Sequence, residues 1–263
     1  MSYQQSTSHY RTNQRLRAAP TGMLLAAPVS VYEEDDQPVI RKAEGSLAHQ
    51  TIIIPDVKVF EPLDTEATPQ TLFPPRECTD HLGFQTVRFI NTQDPTCMLV
   101  YTDGSCRRNG TPGATAGCAL HFRPPGQTPY GHIYGVISFR LEDTGPDGNK
   151  TPHTSNRAEL RAVIGILQMH WDSEEQKKLV IATDSQYVAK GATGWGKDWN
   201  RRDWRRSRGE PVLNRDLWEW LFQKLRDTQE LGLEVSFWWI PCHLNTFAHA
   251  AAQEAADFTR TWR

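Results

Sequence analysis

Two short runs restrict the fold of this 263-residue chain more than any other feature. Met98-Leu99-Val100-Tyr101-Thr102 and Leu179-Val180-Ile181-Ala182-Thr183 carry no charge, and each ends in an aspartate, Asp103 and Asp184. Runs of this length and composition are buried strands rather than half-exposed ones, so both belong inside a sheet covered by other elements. Ala116 to Phe122, Ile133 to Leu141 and Val235 to Ile240 read as three further strands. Between them, Ala158, Leu160, Ala162, Val163, Ile166 and Leu167 form the apolar face of a helix from Arg157 to about His170, opened by Thr154-Ser155-Asn156 as its cap. A short helix follows over Gln186 to about Gly191, and further helices run from Arg215 to about Leu231 and from Ala248 to about Thr259. The order βββ-α-β-α-α-β-α implies an α/β fold, a mixed five-stranded sheet flanked by helices.

Residues 1–93 differ from residues 94–263. Gln, Ser, Thr, Pro and Arg are frequent in the first stretch, and prolines recur at Pro55, Pro62, Pro69, Pro74 and Pro75. Such a composition buries too little apolar surface to offset its ordering entropy, so a largely irregular extension is expected before a folded domain beginning near residue 94. One apolar segment, Thr51-Ile52-Ile53-Ile54, is the exception and can add a strand or dock on the domain. Met1 to Tyr32 carries Arg11, Arg15 and Arg17 without an acidic residue. That pattern fits either a polar tail or a mitochondrial targeting segment.

The formal net charge is −2, so any nucleic-acid-binding surface must be local. The five cysteines show no CxxC spacing, which favours reduced thiols in an intracellular protein, nuclear or cytoplasmic if not mitochondrial, over a zinc site. No run of 18 apolar residues is present, and no membrane span is expected.

Asp103 and Asp184 close the two apolar strands, and catalytic groups on open α/β sheets lie off strand ends. Glu159 falls in the first turn of the long helix, where the dipole favours a carboxylate. If that helix crosses the two strands, three carboxylates converge and each raises the pKa of the others. A hard divalent cation, Mg2+ or Mn2+, relieves the repulsion, and two such ions roughly 4 Å apart can clamp the two oxygens of a phosphodiester displacement.

The segments carrying these residues are YTDGSCRRNG (Tyr101 to Gly110), TSNRAELRAV (Thr154 to Val163), ATDSQYVAKG (Ala182 to Gly191) and GWGKDWNRRDWRRSRGEPVLNRDLWEWL (Gly194 to Leu221). In this order and spacing they resemble type 1 ribonuclease H, in a fungal-type branch with an extended N-terminus. The resemblance runs from about Met98 to Ala256. It implies a ribonuclease H-like fold and endonucleolytic cleavage of the RNA strand of RNA/DNA hybrids by a monomer using two Mg2+ or Mn2+ ions. Asp103 would bridge both ions, with Glu159 and Asp184 completing the site. Asn109, Asn156 and Gln186 would contact the RNA strand, where an amide can both donate to and accept from a 2′-hydroxyl. Thr154 and Arg157 would grip a phosphate of the DNA strand.

Between Lys190 and Arg215, six basic residues interleave with Trp195, Trp199 and Trp204. Arginine suits phosphate contact and tryptophan suits stacking, although these tryptophans can equally form the small core of a protruding element. The resemblance makes this segment a substrate-binding handle, with Trp195, Trp204 and Arg205 as contacts and Asn214 beside it.

The chain departs from the family at the fourth corner of the site. The family supplies another aspartate from the last helix, after a loop histidine. Here the region reads Trp239-Ile240-Pro241-Cys242-His243-Leu244-Asn245-Thr246-Phe247-Ala248-His249-Ala250-Ala251-Ala252-Gln253. Taking His243 as the loop histidine without a gap puts Gln253 at that corner. Matching Asn245 to Ala248 as asparagine-x-x-alanine puts His249 there, and makes Ala248, Ala251 and Ala252 the packing face; this second alignment is preferred. A neutral imidazole binds Mg2+ more weakly than a carboxylate and favours Mn2+. Two functions therefore remain open: a hybrid endoribonuclease with shifted metal preference or reduced activity, and a catalytically impaired module that binds hybrid or RNA without cutting it.

Overall fold

The structure, a computed structural model, describes residues 52–79, 83–128, 131–133, 135–169, 171 and 176–258. The first described segment supplies β1 (Lys58–Val59), a short helix α1 (Pro69–Leu72), β2 (Pro75–Thr79) and β3 (Gln85–Ile90). Next come β4 (Cys97–Arg107), β5 (Thr115–His121), a small hairpin of β6 (Gly126–Thr128) and β7 (Gly131–Ile133), and β8 (Val136–Arg140). The rest is α2 (Ser155–Leu167), β9 (Lys178–Thr183), α3 (Gln186–Lys190), a π-helical turn (Gly191–Trp195), α4 (Gly196–Arg201), α5 (Arg215–Glu230), β10 (Glu234–Trp239), a 3-10 turn (Cys242–Leu244) and α6 (Thr246–Asp257).

The two apolar runs lie side by side at the centre. β4 and β9 pair in parallel with Thr102 opposite Thr183, and β10 pairs in parallel on the far side of β9. β5 runs antiparallel to the second half of β4, and β8 antiparallel to β5. Side chains of β4 alternate between two buried faces. Met98 and Val100 pack in the larger core with α2 and α5, while Leu99 and Tyr101 pack in a second core with Trp238, Ile240 and Ala248. On that second face α6 lies so close to β5 that a Cβ on Gly117 would meet the Ala252 carbonyl oxygen at 2.3 Å. The alanine face of α6 is therefore the close-packing surface expected from its sequence.

The five strands expected from the sequence are β4, β5, β8, β9 and β10, but the sheet has eight. The stretch expected to be irregular supplies the other three. β3 pairs antiparallel with the start of β4, β2 extends that edge, and β1 adds to the opposite edge beside β10. The sheet therefore begins well before residue 94. The prolines that suggested disorder occupy positions that ordered structure tolerates. Pro69 sits in the first turn of α1 behind Thr68, whose side chain caps the helix in a capping box. Pro75 opens an edge strand. Burial of Val57, Leu72, Phe73, Phe89 and Ile90 holds the segment to the domain. Ile52 and Ile54 dock on the larger core, with Asn200 Nδ2 donating to the Ile52 carbonyl at 2.8 Å. The targeting or tail segment, Met1 to Tyr32, lies outside the described residues. Among the described residues no helix is long and apolar enough to cross a membrane.

Phe73 is completely buried against Phe60 and Trp238. Phe73→Ala should lower the unfolding free energy by about 3–5 kcal/mol in urea denaturation. A loss below about 1 kcal/mol would mean that this segment unfolds independently of the sheet.

Candidate active site

The parallel register of β4 and β9 decides the position of two carboxylates. With Thr102 opposite Thr183, the β4–β9 ladder ends just before both aspartates: Asp184 leaves the end of β9, whereas Asp103, expected at a strand end, lies inside β4, which runs on to Arg107 paired with β5. Asn245, fully buried at the start of α6, stitches the two strands there: its Nδ2 donates to the Thr102 carbonyl at 2.9 Å and to Asp184 Oδ1 at 2.9 Å. The third carboxylate comes from α2. A Cβ on Gly104 would stand 2.1 Å from the Glu159 backbone nitrogen, so only glycine lets the first turn of α2 press onto β4 here. Thr154 caps that turn by accepting from the Arg157 amide at 3.3 Å. Ser185, the N-cap of α3, then donates its hydroxyl to Glu159 Oε2 and links the α2 carboxylate to the Asp184 turn.

Asp103 is almost entirely buried and accepts from the Gly104 amide at 2.8 Å. Burial, and then the negative charge of Asp184, push its pKa up to about 6 against the opposing hydrogen bond from His249. Burial pushes Glu159 up to about 7; the Ser185 hydrogen bond opposes this, and the charges of Asp103 and Asp184 reinforce it. The charge of Asp184 thus bears on both Asp103 and Glu159, and that of Asp103 on Glu159. Cys242 also reaches the site: its hydrogen bond to Asp184, then burial, push the thiol up to about 11.

His249 stands at the fourth corner, with Nδ1 2.8 Å from Asp103 Oδ2. Gln253, one turn later on α6, lies 2.8 Å from His249 Nε2 through its own Nε2. The amide therefore donates to Nε2, and the ring proton sits on Nδ1 and is donated to Asp103. The two competing alignments turn out to name neighbours in one hydrogen-bonded chain, with His249 at the carboxylates and Gln253 behind it.

The other expected contacts divide. Asn109, Asn156, Gln186, Arg205 and His243 are exposed, and Trp195 is 40% exposed on the π-helical turn. Two expectations need correction. Arg157 was expected to face a DNA phosphate, but its guanidinium is buried and forms a bidentate pair with Asp216 at 2.9 and 2.7 Å, with Asn214 Oδ1 at 3.5 Å. A buried guanidinium needs a compensating anion, and Asp216 at the start of α5 provides it. Trp204 was expected to contact substrate, but it is buried between Trp199 and Phe222 with the Arg215 guanidinium over its ring at 5.3 Å. It belongs to the small core that carries the arginine-bearing loop, whose Arg201, Arg202, Arg205, Arg206 and Arg208 are exposed. Asn214 takes a left-handed conformation at the start of α5 and donates to the Tyr187 hydroxyl at 3.3 Å.

A family model described as RNase H matches residues 95–260. The chain belongs to the RNase H family. Its similarity to curated members is substantial: 36% identity to Ribonuclease H of Treponema pallidum over 62% of this chain and 94% of the relative, and 33% identity to Ribonuclease H of Hahella chejuensis over 60% and 89%. A Ribonuclease H of Methylococcus capsulatus is 34% identical over 64% of this chain and 91% of its own length.

Ser185 and Asn245 are site residues whose roles the sequence did not reveal. Their signal was position, one immediately after Asp184 and the other four residues before His249.

The raised Glu159 pKa has a thermodynamic consequence. The native state holds this proton more tightly than the unfolded chain, so the stabilisation is complete below about pH 4.3 and is lost as pH rises through about 7. In ion-free buffer, Glu159→Gln should stabilise the protein against urea near pH 8 and change it little near pH 4. Equal effects at both pH values would contradict the assigned environment.

Proposed function

We propose that the chain hydrolyses the RNA strand of RNA/DNA hybrids endonucleolytically, with Asp103, Glu159 and Asp184 as its core carboxylates. The coupling of these three groups at one crevice of an RNase H-family fold carries the reading. In the reaction, water attacks the scissile phosphorus in line with the departing 3′-oxygen and leaves 5′-phosphate and 3′-hydroxyl ends.

The donor set fits a hard divalent ion. It consists of carboxylate oxygens, and burial raises the pKa values of Asp103 and Glu159 among them. Among the described residues no three His, Cys, Asp or Glu side chains are placed to enclose an ion outright, and both Asp103 oxygens are engaged, one by Gly104 and one by His249. Each of those oxygens keeps a second lone pair, so Asp103 would still offer a ligand position to Mg2+ or Mn2+. Bound divalent ions supply positive charge at the phosphodiester oxygens and lower the pKa of the attacking water. Asp103, Glu159 and Asp184 would hold them, with two ions as the working count and His249 as a neutral neighbour or fourth ligand. Ser185 and Asn245 orient Glu159 and Asp184. The exposed amides of Asn109, Asn156 and Gln186 suit the 2′-hydroxyls of the RNA strand, and Thr154 remains available near the DNA phosphates. Arg205 and its exposed neighbours give the arginine loop its phosphate contacts, flanked by Trp195, with Asn214 supporting the base of the loop and His243 at the crevice edge.

The imidazole on Asp103 favours one second reading, a hybrid-binding module impaired in cleavage. An end-labelled hybrid separates the two. Wild type should cut faster with Mn2+ than with Mg2+, Asp103→Asn should lose at least about a hundredfold, and His249→Asp should raise the Mg2+ rate. Equal inertness of wild type and Asp103→Asn, with both binding hybrid tightly, would establish the impaired module instead.

A further inference from the structure

We infer that Trp239 is a substrate-stacking residue at the edge of the catalytic crevice, packing its indole against a sugar or base of the bound nucleic acid beside Asp184. The inference rests on the hybrid-nuclease reading and adds a contact to it.

Trp239 is the last residue of β10 and pairs with Thr183, one residue before Asp184. Strand alternation places it on the same face as Phe237, which is fully buried, yet Trp239 remains 44% exposed. The strand thus runs out from under its covering layer at the crevice. The ring is fixed in place: Nε1 donates to the Asp184 backbone carbonyl at 3.1 Å, so the indole edge is anchored to the turn that carries the catalytic aspartate. The same turn continues through Ser185, bonded to Glu159, to the exposed Gln186 at the start of α3.

The ring faces have no aromatic or cationic partner among the described residues. Every other described tryptophan lies against a second ring or a guanidinium. An anchored, half-exposed indole with unpartnered faces is the arrangement that serves as a stacking platform. It presents a large apolar surface that is already ordered, and its one polar atom is satisfied away from the ligand. The occupant lies over the crevice, and a sugar-phosphate strand whose scissile bond sits beside Asp184 brings a ribose or base to within reach of the indole. A structural role alone would not require this exposure, since complete burial of an aromatic side chain contributes more stability.

Binding of a fluorescein-labelled RNA/DNA hybrid to the full chain, in EDTA to prevent cleavage, tests the inference with Trp239→Ala and Trp239→Phe. Trp239→Ala should weaken affinity about tenfold and Trp239→Phe no more than about threefold, because phenylalanine keeps a stacking face and loses only the indole hydrogen bond. Saturating unlabelled hybrid should also quench the intrinsic fluorescence of wild type more than that of Trp239→Phe. Affinity of Trp239→Ala within about twofold of wild type would overturn the inference, as would equal losses in both variants or identical quenching of wild type and Trp239→Phe. Failure of wild type itself to prefer hybrid over DNA duplex would overturn the functional reading and this contact with it.

Discussion

The site depends on two aspartates held side by side where the parallel β4–β9 ladder ends, and there their charges repel. Nothing in Asp103 or Asp184 favours that proximity; the β4–β9 ladder imposes it, and the ladder is stable because both faces of both strands are buried. Asn245 then ties the two strands together through a backbone carbonyl of one and the carboxylate that follows the other. Glu159 adds a third acid through the gap left by Gly104. The fold thus spends part of its stability on holding like charges close, and the raised Asp103 and Glu159 pKa values record that strain.

The fourth corner is where this chain differs from the arrangement its resemblance implies. His249 contributes no negative charge and donates a proton to Asp103, with Gln253 fixing the tautomer behind it. That hydrogen bond is one that an ionised carboxylate at the same corner would not make.

The β4, β5, β8, β9 and β10 strands and the α2 cap were legible because each announces itself locally, through an apolar run or a Thr-Ser-Asn start followed by helical periodicity. β1, β2 and β3 were not. They are short, with β1 and β2 on the sheet edges and β3 just inside one of them, so their order comes from tertiary burial of a few residues such as Phe73 and Phe89 rather than from their own pattern. Asp103 and Asp184 were readable because each follows an apolar run, although β4 continues past Asp103 to Arg107 where the run alone suggests an end. Arg157 and Trp204 were not, because residue type alone cannot show whether a guanidinium meets a phosphate or an aspartate 59 residues away, or whether an indole faces solvent or another ring. Arg157 instead locks α2, the bearer of Glu159, to the start of α5 at the base of the arginine loop. The catalytic crevice and that loop therefore share one rigid joint.

Asp103 and Glu159, whose pKa values are raised by burial and by neighbouring carboxylates, retain protons that a divalent ion must displace. Calorimetric titration of Mn2+ at about pH 6.5, in two buffers of different ionisation enthalpy, counts those protons directly. Wild type should release on the order of one proton as the site fills, most of it from Glu159, and Asp103→Asn should lose most of the affinity. Binding of equal strength in the two proteins, or binding without proton release, would contradict the account.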